Sequence, residues 1–155
     1  MQKEVSELLQ RNPEGYFEVV VERKNVKSPV VIKNWPIFFS GKPMPTLYWL
    51  LSGSEYKEVS RIESLAGIKS LEESFDSVAV ETINERYESM RDAIFPSFYT
   101  GIKPSGGVGG TTKGIKCLHA HLAWYLAGGD DDVGKRVADD IGLDLSDYFI
   151  LESSF

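Results

Sequence analysis

Ile115–Ala127, IKCLHAHLAWYLA, decides how this chain must fold. Apolar residues stand at nearly every position, so a helix built from it has no polar face to turn to water. Such a helix lies inside, with other elements covering it. Gly128-Gly129 ends it, and Asp130-Asp131-Asp132 opens a last helix over Val133–Ile141. Acids at that start suit the positive end of a helix dipole, with Asp131 or Asp132 as the N-cap. A calcium loop is not indicated, because its spaced acids and closing glutamate are missing.

The covering elements are read outward from that helix. Residues 2–11 form a short helix with Val5, Leu8 and Leu9 on one face. Asn12–Gly15 is a turn. Tyr16–Arg23, YFEVVVER, is β-branched and aromatic and predicts a strand. Val30–Ile32, Pro36–Ser40 and Thr46–Leu51 predict three more, at the short spacing of hairpins. Ser54–Leu65 carries Tyr56, Val59 and Ile62 at helical spacing, and Gly67 stops it. Ile68–Phe95 repeats apolar residues every three to five positions, which predicts one long helix with a break near Asp76-Ser77. Its acidic face, including Glu72, Glu81 and Glu85, is read as solvated. The apolar tail, Leu143–Phe155, packs back. The expected class is α+β: a small antiparallel sheet over residues 16–51, several helices, and the buried helix 115–127, all in a single domain spanning residues 1–155.

Composition narrows the function. No apolar run is long enough for a membrane helix, and MQKEVSELLQRN lacks the apolar core of a signal peptide, so a cytoplasmic location is expected, with no membrane association. A single cysteine, Cys117, excludes an internal disulfide. A net charge of −6 argues against general nucleic-acid binding. The charge is uneven, however. Arg23–Ser54 and Ala93–Gly129 contain no acid, yet hold Arg23, Lys24, Lys27, Lys33, Lys42, Lys103, Lys113 and Lys116. Either these windows meet to form a cationic surface, or buried strands and a glycine loop simply exclude acids.

Ser105–Thr112, SGGVGGTT, resembles a phosphate-binding loop in which Ser105 and Gly110 replace the lysines. The preceding Thr100–Pro104 is a poor strand, so a nucleotide hydrolase is not expected. The physics of an anion site partly survives. Backbone amides of Gly109 and Gly110, a helix start near Lys113–Lys116, and two lysines would favour negative charge. A solvated loop is the alternative. Within Cys117–His121, Cys117 and His121 share a helical face and His119 points away, so one metal ion cannot take all three. No metal and no cofactor are expected. His119 suits an anion ligand or a hydrogen-bonded core residue; His119 and Cys117 are the weak catalytic candidates. In Pro43–Leu50, PMPTLYWL, Thr46 and Tyr48 alternate to one face, as ligand-facing hydroxyls or as plain packing.

PMPTLYWL and KCLHAHLAWYLAGG together resemble the bacterial family known as domain of unknown function 501, over about residues 10–136. Members carry a Pro-Phe-Pro-Thr-Leu-Tyr-Tyr-Leu-like stretch, then a glycine-containing loop and Lys-Cys-Leu-His opening a helix. This chain departs at Trp124, where many members have histidine, at Asn25–Ser28, where many have a cysteine-containing turn, and at Gly109–Gly114, where Gly-Gly-Met-Pro is common. The family carries no established activity. Its genes often lie near those for exopolyphosphatase and a division-septum protein, so the resemblance implies polyphosphate or division biology.

Three readings follow. The first is a protein binding a phosphate-bearing or other anionic ligand at the glycine loop, through Lys113, Lys116, His119, Gly109 and Gly110, with Arg23, Thr46 and Tyr48 from the sheet. The second is an enzyme acting on phosphorylated or polyphosphate substrates. The third is an adaptor for a protein partner.

Overall fold

The computed structural model describes all 155 residues. Its elements are α1 (Gln2–Leu9), β1 (Gly15–Arg23), β2 (Pro29–Phe38), β3 (Tyr48–Leu50), α2 (Ser54–Ser64), α3 (Gly67–Ser74), α4 (Ser77–Ala93), α5 (Leu118–Leu126), α6 (Asp132–Asp140) and β4 (Tyr148–Ile150). The fold is α+β, with one antiparallel sheet ordered β3-β2-β1-β4.

The sheet has two covered faces. Val5 of α1 packs with Val19, Ile32 and Leu51 on one side. On the other, Val20, Val30 and Leu50 join a core with Ile83 and Tyr87 of α4, Leu118, Leu122 and Leu126 of α5, and Val133 and Val137 of α6. Leu118, Leu122 and Leu126 are all fully buried. Each contributes about 1.5–3 kcal/mol of burial, which is why α5 occupies the interior. Gly134 lets α6 lie directly on α5: a Cβ there would be 2.3 Å from the carbonyl oxygen of His121.

Three elements differ from the sequence expectation. Val30–Ile32 and Pro36–Ser40 are one strand, β2. Pro36 falls between the Gly15–Phe38 and Phe17–Asn34 pairs, where the ladder is irregular and does not need its missing N–H. The tail supplies a fourth strand outside residues 16–51: Tyr148–Ile150 pairs with Val21–Arg23, and Phe155 meets Trp35 edge to face. The helix expected over 115–127 begins only at Leu118, and Cys117 is its extended N-cap (φ −142°, ψ 110°). The break near Asp76 is present; Asp76 caps α4 by accepting from the Val78 amide.

At the β1–α2 junction, Arg23 and Tyr148 both hydrogen-bond the buried Glu55 carboxylate. Burial alone pushes the Glu55 carboxyl up, but these two bonds, a backbone hydrogen bond and the Arg23 charge together overcome it and hold it below the usual range. A carboxyl depressed in the folded state stabilises above its unfolded value, and that stabilisation disappears as pH falls through the folded value. Stability should therefore decline with acid below about pH 4.3, and the Glu55→Gln variant should show a shallower decline in urea midpoint over that range.

Candidate functional site

The glycine loop before α5 is built into the molecule from α4. Gly107 lies so close to α4 that a Cβ would be 2.4 Å from the Asn84 Cα. Asn84 brackets the loop, accepting from the Val108 amide at 3.1 Å and donating to the Gly114 carbonyl at 3.1 Å. The Arg91 guanidinium, wholly buried, donates to the carbonyls of Pro104, Gly106 and Pro45. The loop and the PMPTLYWL segment are thereby tied through one side chain.

Carboxylates from the helical middle of the chain take up amides of the acid-free window. Glu72 of α3 accepts from the Ile115 amide at 2.6 Å, and Glu63 of α2 accepts from the Leu118 amide at 2.8 Å. The Gly110 amide donates to the Gly107 carbonyl at 3.0 Å. The start of α5 is thus capped by the protein's own acid, and the amides of Ile115, Leu118 and Gly110 are occupied.

A cavity of about 510 Å³ opens beside this helix start, between the C-terminal end of α1, β3, α2 and the loop. Thr46, Tyr48, Gly109, Cys117 and His119 all line it, together with Arg11, Trp49, Ser52 and Tyr56. β3 is an edge strand, so the cavity wraps its free side and takes Tyr48 and Trp49 from opposite faces. The Arg11 guanidinium lies over the Trp49 ring, 4.8 Å from its centroid. None of the 14 lining residues is an acid.

Four residues expected with His119 lie elsewhere. Lys113 and Lys116 are exposed and outside the cavity lining. Gly110 does not line it either. Arg23 is paired with Glu55 and lines a separate hollow with Lys24, Asp147 and Tyr148. The cationic windows do meet, since α5 packs on β3, but their charges do not converge on one point.

His119 is held from three sides by α2. Its ring stacks on Tyr56 at 4.2 Å between centroids, Nε2 is 3.0 Å from Ser60 Oγ, and Nδ1 is 3.4 Å from Glu63 Oε2. Tyr56, Ser60 and Glu63 are i, i+4 and i+7 on α2, one stripe facing α5. From sequence alone Tyr56 reads as core, and nothing marks Ser60 or Glu63; the helical stripe is visible there, but its target is not. Cys117, expected to share a face with His121, instead sits beside His119. It precedes the helix in extended backbone, so helical spacing does not apply to it. His121 points into the core, its Nδ1 2.6 Å from Asp131 Oδ2. Burial pushes the Cys117 thiol up, Glu63 adds to this, and the amides of Ala120 and His119 and the Lys116 charge oppose it. A raised thiol is a weaker nucleophile at neutral pH.

These features define an α+β protein with a carboxylate-free, aromatic-walled cavity at the capped start of a buried helix. Residues 20–139 match the model of a family described as protein of unknown function (DUF501), and the chain belongs to that family. No curated protein and no solved structure matches it. No helix is long and apolar enough to cross a membrane.

Proposed function

We propose that the chain binds a small anionic molecule with a flat apolar part, such as an aromatic phosphomonoester, in the cavity beside His119. The observation that carries this reading is the charge of the lining: Arg11 and no carboxylate, on a chain with 23 acidic and 17 basic residues. Trp49, Tyr48 and Tyr56 offer apolar and stacking surface, and Arg11 offers a planar fork of donors suited to phosphate. Thr46 and Ser52 add hydroxyls, and the His119 ring adds further lining surface. Lys113 and Lys116, outside the lining, act at most through the long-range field.

Calorimetric titration checks this. Phenyl phosphate should bind more tightly than inorganic phosphate or phenol, and Arg11→Gln should weaken it by about tenfold or more, the loss of one charge-assisted contact worth about 1.5–3 kcal/mol. Equal binding by Arg11→Gln, or no binding of any probe, would sink the proposal.

A second reading, an enzyme acting on phosphorylated substrates, draws on the setting of His119 between Ser60 and Glu63. An imidazole oriented in this way at a cavity wall suits acid–base work. Turnover of a phosphoester or polyphosphate that disappears in His119→Ala would favour this reading over simple binding.

A further inference from the structure

Three residues of metal-ligand type meet at the cavity wall: Cys117 at the N-cap of α5 and His119 from its first turn, which line the cavity, and Glu63 of α2, which lies behind them outside the lining. One donor atom from each lies within 4.8 Å of the others. A carboxylate, a thiolate and an imidazole suit zinc and related transition metals, whereas calcium and magnesium take oxygen ligands.

The distances within the cluster support this choice. Glu63 Oε2 and His119 Nδ1 are 3.4 Å apart, longer than a good hydrogen bond. Two atoms each about 2.0–2.1 Å from one tetrahedral zinc ion stand about 3.3–3.4 Å from each other. The remaining ring nitrogen, His119 Nε2, is 3.0 Å from Ser60 Oγ. A ligating histidine is ordinarily fixed through its other nitrogen in this way. The Leu118 amide, 2.8 Å from Glu63 Oε2, orients the carboxylate. The Glu63 and His119 side chains are 26% and 16% exposed, so small rotations can close the cluster around an ion. Cys117 and His119 also line the cavity, so a fourth coordination position would face it.

We infer that Glu63, Cys117 and His119 form a three-ligand site for Zn²⁺ or a similar divalent transition metal, open towards the cavity. The site needs neither Arg11 nor an anionic ligand, and so stands or falls separately from the proposed function.

The test uses the full chain, stripped of metal by a chelator and dialysed. Zn²⁺ should bind with one-to-one stoichiometry by calorimetry. Co²⁺ in its place should give the near-ultraviolet charge-transfer band of a thiolate ligand. Cys117→Ser should abolish that band, and Ser60→Ala should weaken zinc binding by about 10–100-fold, as loss of an outer hydrogen bond does. Arg11→Gln should leave zinc binding unchanged. If circular dichroism shows Cys117→Ser unfolded, Glu63→Gln, on a side chain about a quarter exposed, replaces it and should weaken zinc binding by at least as much as Ser60→Ala. Absence of stoichiometric zinc binding, a cobalt spectrum without the thiolate band, or zinc binding indifferent to both Cys117→Ser and Glu63→Gln would overturn the inference.

Discussion

Arg91→Met should destabilise the protein by about 3–5 kcal/mol, the cost of breaking a buried charged network from one side. Methionine matches much of the volume, so the loss is of bonds rather than of packing. The carbonyls of Pro45, Pro104 and Gly106 would be stranded in the interior at once. Each buried acceptor left without a donor costs about 1–3 kcal/mol. Asp92, 3.4 Å from the guanidinium, would lose its partner as well. With a urea m-value of about 1–3 kcal/mol/M, the unfolding midpoint should fall by roughly 2 M with little change in slope. Arg91→Lys should lie between the two, because one ammonium group cannot span three separated carbonyls. A midpoint for Arg91→Met close to the wild-type value would show that the loop and the PMPTLYWL segment are held together by other means.

Asp131→Ala carries the second large effect. One carboxylate performs two tasks at the α5–α6 turn. Its Oδ1 accepts from the amides of Val133 and Gly134 at 2.9 and 3.0 Å, capping α6, while Oδ2 meets His121 Nδ1 at 2.6 Å. Losing the cap costs about 0.5–2 kcal/mol. The stranded imidazole costs about 1–3 kcal/mol more, since His121 is fully buried and its Nε2 already lacks a partner. Together these should lower the thermal midpoint by about 6–12 °C for a chain of this size. Asp131→Asn keeps an acceptor for the cap and should lose less than half as much. If the alanine and asparagine variants melted together near the wild-type temperature, the pair would have no structural role.

The architecture was legible where burial dictates pattern. IKCLHAHLAWYLA lacks a polar face, and α5 is in the centre; YFEVVVER alternates poorly because both sheet faces are covered. Pro36 misled because proline was read as a boundary, when a ladder irregularity accommodates it. The tail strand was not legible: Tyr148–Ile150 is short and gains its conformation only by pairing with β1. The site was half legible for a related reason. Thr46, Tyr48, Gly109, Cys117 and His119 lie in three motifs and share a cavity. The acid-free windows suggested unpaired amides and open charge, but acids outside those windows answer them. Glu55 takes Arg23, Glu63 takes the Leu118 amide, and Glu72 takes the Ile115 amide. Local charge counts cannot reveal which distant carboxylate the fold delivers. Arg11 was hidden in the opposite way, as an ordinary charge at the end of a polar helix until α1 docked against β3.

Ligand binding belongs in the cavity and not beside Lys113 and Lys116 or beside Arg23. Amide and indole resonances of ¹⁵N-labelled protein, followed during titration with phenyl phosphate, test it most directly. Shifts should concentrate at Gln10, Arg11, the Trp49 indole, Gly109 and His119. Shifts centred on Ser105–Gly107 and Thr111–Lys113, or on Arg23, Lys24 and Tyr148, would contradict it.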